Sequence, residues 1–336
     1  MSVQSKARPE WYKKLAQYEK PDLKKSIWQL THTLLLHFAT FYLMVRTVQL
    51  GYTYWLTLAL AVLAAGFLVR IFIFFHDCTH RSFFASERAN TIVGYILGVL
   101  AFTPYEDWRH SHVIHHATAG NLDRRGIGDV WTMTVDEYRS ASKWQQLAYR
   151  LIRHPLVMFG LGPGFMFLVA HRFATKGARK QERLSVIITN LALAAIIVIA
   201  SLTIGFRAYF LVQFPIIIMA ATLGLWLFYV QHQFETVYWA RNDVWDRIES
   251  ALQGSSYYKL PKVLQWFSGS IGLHHIHHLR ARIPNYNLQR CYDEVPEVRT
   301  VAPLTIPTSL KSLWFNLWDE ERQKMVSFRE LRAASN

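Results

Sequence analysis

Apolar residues in this chain come in long runs, set apart by basic and histidine-rich stretches. Residues 53–75 (TYWLTLALAVLAAGFLVRIFIFF), 184–205 (LSVIITNLALAAIIVIASLTIG) and 208–230 (AYFLVQFPIIIMAATLGLWLFYV) each reach the ~20 residues a helix needs to cross a bilayer. They predict transmembrane helices. Residues 27–49 make a fourth, more polar span that contains His32, His37 and Arg46. Four such lengths in one chain are hard to place as buried helices of a soluble core. Two further runs are poorer: residues 91–104 number only fourteen, and residues 154–173 are broken by Gly160, Gly162, Pro163 and Gly164. Both read as interfacial or re-entrant segments. The pattern predicts an all-α integral membrane protein of four transmembrane helices, with residues 76–183 and 231–336 forming a cytoplasmic helical cap. Residues 1–336 read as one domain, without an internal repeat or low-complexity linker.

Composition alone leaves a large soluble protein open, since 51% hydrophobic residues go with a mean hydropathy of only +0.09. The bunching of the apolar residues decides for the membrane. A net charge of +14 could point to nucleic acid, but the basic residues gather beside the spans. Lys6, Arg8, Lys13, Lys14, Lys20, Lys24 and Lys25 precede the first, and Arg172, Lys176, Arg179, Lys180 and Arg183 precede the third. This positive-inside pattern places both segments, and with them both termini, in the cytoplasm, and no nucleic-acid partner is expected. The first 26 residues are polar and read as no cleavable signal peptide. Cys78 and Cys291 form no CxxC pair and are expected as free thiols. Tyr52, Tyr54 and Trp55 suit the outer membrane interface.

Eleven of the fifteen histidines sit in four clusters just outside the spans: HDCTH, HSHVIHH, QHQFE and HHIHH. Imidazole is a good transition-metal ligand, and helical spacings of i, i+3, i+4 put several rings on one face. A shared site needs every cluster on one side of the membrane. The hairpins 27–49/53–75 and 184–205/208–230 deliver HDCTH and QHQFE to the same side, provided residues 91–104 and 154–173 do not cross.

His76 and His80 are one turn apart. His112, His115 and His116 share a face, whereas His110 lies ~200° from His112 and points elsewhere. His274, His277 and His278 repeat the HxxHH spacing, with His275 the odd one out. His232 follows its span directly and is a further ligand. Eight or nine imidazoles exceed what one ion coordinates, so two metals are implied, and iron, zinc or copper would suit these ligands. Asp77, Glu106, Asp107 and Glu235 are placed to receive a distal imidazole N–H, with ordinary solvated caps as the alternative.

With HxxxH, HxxHH and HxxHH in this order, the chain resembles the membrane-bound fatty acid desaturases over nearly its whole length. The stretches HDCTHRSFF, WRHSHVIHHATAGNLDRRGIGDVWTMTVDEY, FYVQHQFE and GSSYYKLPKVLQWFSGSIGLHHIHHL are similar to bacterial acyl-lipid desaturases. LWDEERQKMVSFREL is similar to the Δ5-type members of Gram-positive bacteria. The resemblance implies a bacterial plasma-membrane enzyme with two irons on His76, His80, His112, His115, His116, His232, His274, His277 and His278. It implies O2-dependent formation of a cis double bond in an acyl chain of membrane phospholipid, with Δ5 favoured. Acyl-CoA members carry an asparagine one turn before the histidine matching His232, where this chain has Phe228.

The required electrons must come from a separate donor such as ferredoxin or flavodoxin, because haem, flavin, nicotinamide and iron–sulfur motifs are missing. The basic face could steer such acidic proteins, although the positive-inside rule accounts for it equally. Arg124, Arg125 and Asp129 could clamp a lipid headgroup or simply form a structural loop, and Arg70 could contact phosphate or snorkel to the interface. Alkane hydroxylases and carotenoid ketolases use related sites, but the NYxEHYG-type motif is absent. A metal transporter or sensor would hold its ligands near the membrane midplane.

Overall fold

Helix α1 (Leu23–Gln49) starts at Asp22, whose side chain accepts from the Lys25 amide, and returns through a tight turn into α2 (Tyr54–Thr79). Ser86 caps α3 (Glu87–Leu100) in the same way, and α4 (Tyr105–Thr118) follows. After a long loop come α5 (Lys143–Ile152) and α6 (Gly162–Leu168), then a second hairpin of α7 (Lys180–Thr203) and α8 (Phe206–His232). Short helices α9 (Arg247–Gln253), α10 (His274–Leu279) and α11 (Asn285–Glu294) complete the histidine end. This computed structural model describes residues 9–333; Lys6, Arg8 and both chain ends lie outside them.

Among the described residues, α2, α7 and α8 are long and apolar enough to cross a membrane. The bent pair 143–152 and 156–172 would add a fourth span if counted as one. The predicted first span is a continuous helix of 27 residues, about 40 Å long, but its polar side chains leave it outside that set. Helix α2 is central, with 61% of its most apolar stretch buried against 17% for α7. Leu191, Ile199 and Leu202 of α7 and Phe206, Phe210 and Phe214 of α8 are exposed. A contiguous apolar surface of this kind suits hydrocarbon rather than water.

Helix α3 stays near the histidine end. Its fourteen residues span about 21 Å, too short for the hydrocarbon core. Near its far end Gly98 lies against Phe75, and the Tyr105 hydroxyl then donates to the Cys78 carbonyl at 2.9 Å. The chain therefore returns to the last turn of α2. Gly94 makes this packing possible, since a Cβ there would come within 2.2 Å of the Tyr105 ring. Segment 156–172 bends 58° from α5, with Phe159 against Trp226 and Tyr229, and ends where Arg172 binds Asn190 and the Phe102 carbonyl.

Short strands depart from the all-α expectation: β1 (Met133–Thr134), β2 (Tyr257–Lys259), β3 (Pro303–Thr305), β4 (Leu317–Asp319) and β5 (Lys324–Val326). Strand β1 pairs in parallel with β4, which pairs antiparallel with β5; β2 and β3 form a separate parallel pair. The β4–β5 hairpin braces the loop between α4 and β1. Trp318 and Met325 pack with Leu122, and Arg241 bridges Glu320 and Asp123 at 2.8 Å each.

Candidate metal centre

The ends of α2 and α8 bring His76, His80 and His232 to one level, where α4 and α10 add their HxxHH histidines. Nine rings fall into two groups: His76, His80, His112, His116 and His277, and His115, His232, His274 and His278. Within each group the ligand atoms lie within 4.8 Å of one another, an arrangement able to hold a metal ion. In each HxxHH the i, i+4 pair joins one group and the i+3 ring the other. Helix α4 gives its pair to the first group and α10 to the second. The groups touch where His116 and His278 stack at 4.1 Å between ring centroids.

The ring nitrogens converge at short range. His80 Nε2 lies 2.9 Å from His112 Nε2, and His116 Nε2 lies 3.1 Å from His112 Nε2 and 3.0 Å from His277 Nε2. In the second group His232 Nε2 lies 3.2 Å from His115 Nε2 and 2.9 Å from His274 Nε2. Two imidazole nitrogens bound to one ion at ~2.1 Å, with a right angle between the bonds, stand ~3 Å apart. The donor set thus fits a metal in each group. Burial, and after it the neighbouring imidazoles, holds His112, His116, His274, His277 and His278 well below the usual histidine pKa. Neutral rings are what a metal requires.

His110 and His275 belong to neither group. His110 faces Arg179 and Glu182, whose Oε1 is 3.6 Å away. His275 is fully buried, with Nε2 3.0 Å from the Val298 carbonyl oxygen, and burial pushes its pKa down to about 4.

The carboxylates divide differently from the sequence expectation. Asp129, expected among the headgroup contacts, places Oδ1 2.6 Å from His115 Nδ1. Gly128 allows this close approach: its φ is +74°, and a Cβ there would lie 2.9 Å from the Ser111 carbonyl oxygen and 3.0 Å from His115 Cβ. Asp77 Oδ1 is 3.4 Å from His76 Nδ1, while Oδ2 accepts from the Asn285 amide and side chain at 2.8 Å each. Asp107 receives Thr175, tying α4 to the start of α7, and Glu106 pairs with Arg109. Glu235 is exposed and faces Lys324. None of these last three carboxylates contacts a histidine of either group among the described bonds.

Arg124 is exposed, and Arg125 pairs with Glu137. Arg70 does not snorkel outward. It is buried, donates to the Trp266 carbonyl and stacks 4.2 Å from the Trp266 ring centroid. Two further contacts were not read from the sequence. His232 Nδ1 is 3.0 Å from the Gly254 carbonyl oxygen, a backbone group without a sequence signal. Trp108 stacks on His112 at 4.3 Å, a contact its i, i+4 spacing could have disclosed. Phe228 lies 5.3 Å from the His115 ring and 5.2 Å from the His232 ring. It lines a cavity of about 10 Å³ with Asp129 and Gly254, room for about one water.

The family model "Fatty acid desaturase" matches residues 53–306, a range that includes all nine histidines. The chain belongs to the fatty acid desaturase family. A "Fatty acid desaturase" of Bacillus subtilis (strain 168) is 48% identical to it over 320 residues, covering 95% of this chain and 90% of the relative. The "sn-1 acyl-lipid omega-3 desaturase (ferredoxin)" of Synechocystis is 28% identical, covering 68% and 64%. The "sn-1 oleoyl-lipid 12-desaturase" of Picosynechococcus is 27% identical, covering 73% and 70%. The desaturase is thus an oxidoreductase of fatty acyl chains, and the hydroxylase, ketolase and transporter readings give way to it.

Proposed function

We propose that this desaturase introduces a cis double bond, Δ5 favoured, into acyl chains esterified in membrane phospholipid. The sorting of nine histidines into groups of five and four carries this reading. His76, His80, His112, His116 and His277 would hold one iron, and His115, His232, His274 and His278 the other. Bound iron supplies the activation of O2 that removes two hydrogens from adjacent methylenes. Those hydrogens, one O2, two external electrons and two protons leave as two waters.

The protein's own groups set the stage for that chemistry. Asp129 and the Gly254 carbonyl hold the Nδ1 side of His115 and His232, turning each Nε2 inward. Phe228 keeps an apolar wall beside the second group. Because both groups draw on α2, α4, α8 and α10, we read the whole chain as one catalytic domain. In this reading the histidine end, both termini and residues 174–183 face the cytoplasm of a bacterial plasma membrane, with the basic flanks as its support. The names of the cyanobacterial relatives support an acyl-lipid substrate and a ferredoxin donor; phospholipid as that lipid, and flavodoxin as the other soluble donor, are our reading.

The test supplies purified, reconstituted protein with reduced ferredoxin and either labelled phospholipid or labelled acyl-CoA, then maps the double bond by gas chromatography. Unsaturated phospholipid with two irons per chain is expected. A hydroxylated product would remove the desaturase chemistry, and conversion of acyl-CoA alone would remove the acyl-lipid substrate. A bond elsewhere in the chain removes only Δ5.

A further inference from the structure

The two histidine groups differ in their access to solvent. All four rings of the second are buried, whereas His80 and His116 of the first are partly exposed and His112 is 9% exposed. His80 lines a surface pocket of about 220 Å³ together with Arg81, Arg109, Arg282, Glu87, Thr79 and Val113. Three guanidinium groups therefore surround the exposed edge of the first group, against one carboxylate.

Each arginine is close in sequence to a histidine of this group, although only Arg109 shares a helix with one. Arg81 follows His80 directly, Arg109 is three residues before His112 on α4, and Arg282 is five residues after His277. Arg81 is held by Glu87 at 2.7 Å, and Arg109 by Glu106 and the Thr79 carbonyl. Arg282 is exposed and has no ion-pair or hydrogen-bond partner among the described residues. A free guanidinium on a net positive rim is a binding element for an acidic surface.

We propose that this arginine rim is the docking site of the electron donor, and that electrons reach the protein through the five-histidine group by way of His80. The occupant is an acidic one-electron carrier of the ferredoxin class; its reduced cluster would give up one electron at each docking, to be taken up by an iron that His76, His80, His112, His116 and His277 would hold. Two dockings supply one reaction. The inference rests on the desaturase reading above and adds the place of contact. Charge complementarity argues for the occupant, and the place of entry follows because transfer falls steeply with distance and all four rings of the second group are buried. Val113, exposed and lining the same pocket, offers an apolar contact point.

Direct binding separates this inference from the catalytic one. Affinity of a plant-type ferredoxin for the detergent-solubilised, iron-loaded protein is measured at low and high salt, without turnover. Arg282→Glu should weaken it about ten-fold at low salt, with the difference shrinking as salt screens the charges. Arg282→Lys should lose much less. Arg332→Glu, the same charge change away from the rim, should leave affinity at the wild-type value. Iron content of Arg282→Glu should match wild type. Equal affinity for wild type and Arg282→Glu would overturn the docking site, even if the wild type makes unsaturated lipid. So would an unaltered ferredoxin affinity accompanied by weaker binding of Arg282→Glu to phosphatidylglycerol vesicles, which would mark a headgroup site instead. If ferredoxin binds as expected but no double bond forms, the catalytic reading fails and the docking site stands.

Discussion

Asp129 Oδ1 stands 2.6 Å from His115 Nδ1, the closest carboxylate–imidazole approach among the described residues. A donated Nδ1–H leaves the Nε2 lone pair facing the four-histidine group, and the carboxylate raises the basicity of that nitrogen. Asp77 performs less of this service for His76, because its Oδ1 stands 3.4 Å away and no hydrogen bond joins it to His76 Nδ1. The two groups are therefore supported unequally.

Asp129→Asn keeps the shape and removes the charge. Metal at the four-histidine group should be held about 10–100-fold more weakly. Graded chelator followed by metal analysis should remove one ion before the other, where the wild type releases them later. Loss of both ions together, at the wild-type chelator concentration, would end the positioning role of Asp129.

Gly128 and Gly126 provide a matched pair. Both have positive φ, +74° and +113°, yet a Cβ on Gly126 meets nothing within 4 Å while one on Gly128 meets Ser111 and His115. Alanine carries a backbone cost of about 1–2 kcal/mol at Gly128 and about 1–3 kcal/mol at Gly126, whose φ lies beyond the left-handed helical region. Gly128→Ala should add a further stability loss and the same early metal release as Asp129→Asn. Equal melting and equal metal retention for the two alanine variants would show that the loop does not press on His115.

Much of this site could be read from helical periodicity. Spacing alone put His112, His115 and His116 on one face and turned His110 away, and it singled out His275 in the same manner. Which ring serves which group was not legible, because that depends on how α4 and α10 cross, and no local pattern encodes a crossing. The contact of Asp129 with His115 is illegible for a similar reason: it is decided by a turn at Gly128, not by neighbours in sequence. The strands were missed because two- and three-residue segments have no period to detect, and β1 pairs with β4 across more than 180 residues. The apolar runs of α2, α7 and α8 were plain, whereas α1 mixes its polar and apolar positions.

His275 and His277 are both fully buried and two residues apart, so they test assignment at constant environment. His277→Gln should lose metal from the five-histidine group. His275→Gln should keep both ions and cost about 1–3 kcal/mol of stability, since the bond to Val298 is strained or lost. Metal analysis and thermal melting of the two variants decide it. Retention of two ions in His277→Gln, or loss of one in His275→Gln, would reverse the ligand assignment.

Membrane orientation can be tested from two turns at opposite ends of the body. Gln49 Nε2 approaches the Ile204 carbonyl at 3.4 Å, so the α1–α2 and α7–α8 turns lie together. Thr175 binds Asp107 on α4, which places Lys176 beside the histidine end instead. Both native cysteines are buried, so engineered thiols should dominate labelling. In intact cells an impermeant maleimide should modify Tyr52→Cys and spare Lys176→Cys, and both should react once the membrane is opened. The basic residues around Lys176 motivate that sign, because positive charge is retained on the cytoplasmic side. Labelling of Lys176→Cys alone from outside would invert the protein. Labelling of both from outside would require the two turns to share a side, leaving α2 and α8 unable to cross.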